Sequence, residues 1–127
     1  MKHLSGFAVL CALVAACTDD RGVGAMHAAV SQCFARYPFQ KGTAYDRFMC
    51  ITDAHLKYGP GAVGARYDLV SQVDLASLRI GLDVDSGTLS LPDARAALNW
   101  VTAKAQSTAF RPSENATHVT ITPPHGR

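Results

Sequence analysis

An all-α fold is the class this sequence predicts, on three observations. Apolar residues recur at helical spacing in four separate segments. Turn residues bound each segment, and the single period-two run, Thr117 to Thr122, lies near the carboxyl end. The pattern predicts a small four-helix bundle built from two helical hairpins, with one disulfide and a flexible C-terminal tail. At 127 residues the chain holds one domain.

The amino terminus reads as an export signal rather than as part of the fold. Lys2 supplies a positive start, and Leu4 to Val14 is an apolar run too short to span a bilayer as a helix. The stretch Leu13-Val14-Ala15-Ala16-Cys17 resembles the lipobox of bacterial lipoproteins. The resemblance implies cleavage before Cys17 and a diacylglyceryl thioether on its sulfur. Cys11 follows the bulky Leu10 and fits the cleavage rule less well. Lipidation would make the membrane a partner through the anchor, and two or more acyl chains hold where one is marginal. Asp19 does not directly follow Cys17, so the resemblance points to the outer membrane rather than the inner. An ordinary signal peptide is the plainer alternative. Without residues 1–16, Lys2 among them, 111 residues and a formal charge of +1 remain. Residues 17–24 then form a polar tether that reaches at most about 25 Å.

The helical domain is expected over residues 25–106. Its first helix spans Ala25 to Tyr37, with Met26, Ala29, Val30, Cys33, Phe34 and Tyr37 on one stripe. Pro38 stops it, because the residue before proline avoids the helical region. Thr43 should open the second helix, with Asp46 completing a weak capping box. Tyr45, Phe48, Met49, Thr52 and Leu56 are its expected inward face, and Gly59-Pro60-Gly61 its expected end. Cys33 and Cys50 lie equidistant from the turn between these helices, which supports a disulfide in an oxidising compartment. A redox or metal role is the alternative, but there is no Cys-x-x-Cys and no histidine at ligand spacing from either cysteine.

The third helix is expected from about Ala65 to Leu82, with Leu69, Val73, Ala76 and Ile80 on its stripe. Val70, Leu75, Leu78 and Leu82 add apolar groups on other faces, so this helix reads as the central one. Gly87 should sit just past its end in the left-handed conformation. Ser90 should cap the fourth helix, with Pro92 in the first turn and Asp93 three residues after the cap. Leu91, Ala94, Leu98, Val101 and Ala105 form that helix's stripe. Asp85, Gly87, Leu89, Ser90, Asp93 and Ala94 resemble a connector found in small bacterial helical lipoproteins, a resemblance that implies no activity. Residues 107–127, rich in Ser, Thr, Pro and Asn, read as a mobile tail.

Candidate chemistry is sparse. Asp83 and Asp85 suggest a calcium loop, but with Gly87 in the sixth position the ligand positions fall on Leu82, Val84 and Ser86. Asp46 and Asp53 share a helix face two turns apart and could form a carboxylate pair, but such pairs on exposed helices read as solvated surface. No nucleophile-elbow, zinc-protease, phosphate-loop, haem or dinucleotide motif occurs, so no catalytic residue, metal or cofactor is assigned. Acids and bases are interspersed at a net +2, which excludes a clustered nucleic-acid footprint. The expectation is a lipid-anchored envelope module, an accessory subunit, adaptor or inhibitor that binds another envelope protein. The alternative is a small-ligand binder or enzyme with a pocket between the helices.

Overall fold

A computed structural model describes residues Asp20–Arg111, so the export signal, Cys17 and the tail beyond Arg111 lie outside the described residues. The described chain is all-α. Four helices follow one another: α1 (Val23–Arg36), α2 (Ala44–Val63), α3 (Tyr67–Asp85) and α4 (Leu91–Ala109), with a 3-10 turn at Gly64–Arg66. They form two helical hairpins, and a disulfide between Cys33 and Cys50 ties the first, with Cα atoms 5.6 Å apart.

Helix α1 starts two residues before its expected position, inside the stretch read as tether. The Asp20 carboxylate accepts from the amides of Gly22 at 3.0 Å and Gly24 at 2.8 Å, which meets donors that a helix start otherwise leaves unpaired. These bonds, that from Gly24 first, hold the Asp20 carboxyl below its ordinary pKa. Helix α4 likewise runs three residues beyond the expected end of the domain, to Ala109.

The start of α2 departs from the expected capping box. Thr43 donates its hydroxyl backwards, to the Pro38 carbonyl at 2.6 Å, and offers no side-chain cap. Asp46 is exposed. The cap comes instead from the far end of α3. Asp85 Oδ1 accepts from Gly42 N at 2.8 Å and Ala44 N at 3.1 Å, and Oδ2 accepts from Tyr45 N at 3.0 Å. An anion there also meets the positive end of the helix dipole.

The end of α2 corrects the sequence reading more sharply. The helix passes through Gly59, Pro60 and Gly61 and stops at Gly64, whose φ of +56° turns the chain. Proline forfeits one backbone bond, and the glycine beside it is packed closely. A Cβ on Gly59 would stand 2.6 Å from the Tyr67 ring, so the ring lies directly against bare backbone. Leu56, expected inside, is 60% exposed; Ala44, Phe48, Ile51 and Ala54 are the buried apolar residues of α2.

Helix α3 shares the central place with α2: α2 packs against α1 and α3, and α3 against α2 and α4. Small residues permit this. Gly81 of α3 lies so close to α2 that a Cβ would meet Tyr45 Cα at 2.9 Å and the Ala44 carbonyl at 3.0 Å. Leu75 and Leu82 of α3, read as further buried positions, are 68% and 47% exposed.

The core gathers at the end of the bundle that carries both hairpin turns. Ala44, Ile80, Val84 and Ala94 form one buried cluster and Cys33, Phe48 and Ile51 another, with Phe39 and Leu98 packed against both. Each helix packs on its sequence neighbours, and α1 and α4 form no comparable packed pair. That gap is the structural origin of the site described next.

Candidate functional site

A groove runs between α1 and α4, floored by α2 and α3. One recess, of about 290 Å³, is walled by carbon: Met26, Val63, Leu69, Val70, Ala105 and Ala109 line it, with Arg66 at its edge. A second, of about 380 Å³, lies toward the core end and holds Phe34, Phe39, Arg47, Arg95, Leu98 and Asn99. His55, Val73, Asp74 and Thr102 line both recesses and join them.

The polar floor is a histidine–aspartate pair that bridges α2 and α3. His55 Nδ1 lies 2.9 Å and 3.0 Å from the two carboxylate oxygens of Asp74, and Asp74 is buried. With the carboxylate as acceptor, the ring hydrogen is assigned to Nδ1. A buried carboxylate requires such a partner. Ser77, also buried, spends its hydroxyl on the Val73 carbonyl at 2.8 Å, so it is not held against the imidazole as a nucleophile. Among the described residues no group of three or more His, Cys, Asp or Glu side chains is placed to hold a metal ion.

Two arginines mark the core end of the groove. Arg47 donates to the Tyr37 carbonyl at 3.0 Å and lies 4.3 Å from the Phe34 ring centroid. Arg47 and Arg95 each lie 5.9 Å from the centroid of Phe39. Neither has a carboxylate partner among the described residues. Burial pulls the Arg47 pKa below its ordinary value, the direction expected of a desolvated cation with no anion beside it. Exposed phenylalanines stand near both ends: Phe34 is 47% exposed, and Phe110, 76% exposed, lies 5.9 Å from the Arg66 guanidinium.

The residues singled out in the sequence lie elsewhere. Cys33 and Cys50 are joined in the disulfide and are not available as metal or redox ligands in that state. Gly87 has φ +78°, and its amide donates to the Val84 carbonyl at 3.0 Å. Ser90 Oγ accepts from the Asp93 amide at 3.2 Å and donates to the Asp93 carboxylate at 2.7 Å. Asp83 faces Arg79 at 3.4 Å, and Asp85 is committed to α2, so the two acids of the suspected calcium loop serve separate partners. Asp46 and Asp53 are both exposed.

Sequence reasoning missed the groove's polar residues. His55 and Asp74 are 19 residues apart on different helices, and no spacing rule links them. A signal was present in α3, where Asp74 and Ser77 share a face with Val70 and Gly81, an inward stripe interrupted by polar groups.

Comparison with protein-family models, with curated proteins and with solved structures finds no match for this chain. Among the described residues no helix is long and apolar enough to cross a membrane.

Proposed function

We propose that this protein is a lipid-anchored module of the bacterial envelope, more specifically of the outer membrane, and that it binds another envelope protein through the groove between α1 and α4. The observation that carries the reading is the openness of this site. The groove has apolar walls and an exposed phenylalanine near each end, and none of the described residues closes it over. Small-ligand sites normally enclose most of the ligand's surface, whereas an exposed apolar trough suits a protein segment. On its floor the Asp74 carboxylate is held by His55 Nδ1, and the Ser77 hydroxyl by the Val73 carbonyl. The reading assigns no catalytic role, cofactor or nucleic-acid partner.

Two experiments test this proposal. The wild-type chain should label with radioactive palmitate and partition into detergent, and Cys17→Ser should do neither. If wild type and variant both behave as soluble protein, the anchor is wrong. Pull-down from detergent-solubilised envelopes should recover a protein partner from wild type that is lost with Ala105→Glu, which places a charge in the apolar recess. Equal recovery by both would remove the groove from the proposal.

A further inference from the structure

The lining of the groove carries an unbalanced charge. Arg47 and Arg95 stand at one end and Arg66 at the other, none with a carboxylate partner among the described residues. Among the described residues the only carboxylate in the lining is Asp74, and His55 already holds it. Between the arginines of the two ends lies the carbon-walled recess. The groove follows α4 from Arg95 to Ala109, a rise of about 21 Å, or roughly four helical turns.

We propose that the groove receives an amphipathic helix of the partner protein, with apolar anchors facing the recess and acidic side chains near its ends. This rests on the protein-binding reading above and specifies the partner's chemistry. Helices held in grooves present anchors at i, i+3 or i+4, and i+7, and two or three such side chains fill recesses of this size better than a whole helix would. Complementary charge fixes the register and excludes basic partners. Guanidinium groups suit the purpose, since each can grip a carboxylate through two parallel bonds. An anionic single-chain lipid would match the same charges. The open trough and the His55–Asp74 pair across its middle fit a continuous acyl chain less well than a helix with alternating contacts.

The test places a photo-crosslinking amino acid in the full chain, in the cells that produce it. Thr102 faces the groove and Ala103, beside it on α4, is exposed outside it. Sequencing of the adduct from position 102 should identify a partner segment with helical apolar spacing and Asp or Glu near its ends, and position 103 should not capture it. Arg95→Glu, with folding checked by circular dichroism, should reduce the adduct about tenfold or more. Replacing the partner's facing acid by lysine should restore it. A protein adduct whose segment is basic or neutral, or that survives Arg95→Glu unchanged, overturns the acidic-helix proposal and leaves the protein-binding reading standing. A lipid adduct, or no protein adduct from either position, overturns both.

Discussion

The carboxylate of Asp85, the last residue of α3, meets the backbone amide of Ala44, the first residue of α2, at 3.1 Å across 41 residues of sequence. Helix caps are ordinarily supplied from the residue next door; this one joins the two hairpins. It positions the turn of the first hairpin beside the turn of the second, and so places the core at that end of the bundle. Asp85→Ala should destabilise the protein by about 1–2 kcal/mol, the upper range for a lost cap. Chemical denaturation checks the figure. Asp85→Asn, which keeps one acceptor oxygen, should cost less, and equal losses would mean that charge rather than geometry sets the cap.

Gly81 allows α3 to lie against α2. A methyl group there would press on the Tyr45 and Ala44 backbone as well as the Phe48 ring, and backbone has little room to yield. Gly81→Ala should therefore lower stability by about 1–3 kcal/mol despite its better helix propensity. A rise in melting temperature would show that the two helices separate more easily than their spacing implies.

The disulfide closes a loop with a sequence separation of 17 residues. Replacing both cysteines with serine should remove about 3 kcal/mol on the chain-entropy account. The thermal transition of the wild type should fall towards that of the double variant when reductant is added. No response to reductant, together with free thiols in peptide mapping, would contradict the bridge.

Ser90 and Asp93 exchange two hydrogen bonds at the start of α4. Ser90→Ala should cost about 1 kcal/mol. Melting curves with calcium and with chelator should superimpose, since Asp83 and Asp85 serve Arg79 and α2. A calcium-dependent rise abolished by Asp83→Ala would instead assign a metal to that connector.

What the sequence determined by itself was local. Helical periodicity, Pro38 after α1, Gly87 after α3 and Ser90 before α4 all act within a few residues, so they can be read in order along the chain. The symmetric placement of Cys33 and Cys50 about one turn extended that reach to a hairpin, where two helices are bound to lie side by side. Tertiary structure decided everything that depends on two helices meeting without such a constraint. Thr43 loses the capping role to Asp85, and α2 continues through Pro60 and stops at Gly64, with Gly59 against the Tyr67 ring. His55 finds Asp74, and Arg47 and Arg95 come to flank Phe39. The physical reason is common to all of these. Capping and periodicity are properties of the backbone near one residue, whereas burial and pairing depend on which surface another helix covers, and the gap between α1 and α4 exists only once the other three contacts have been made.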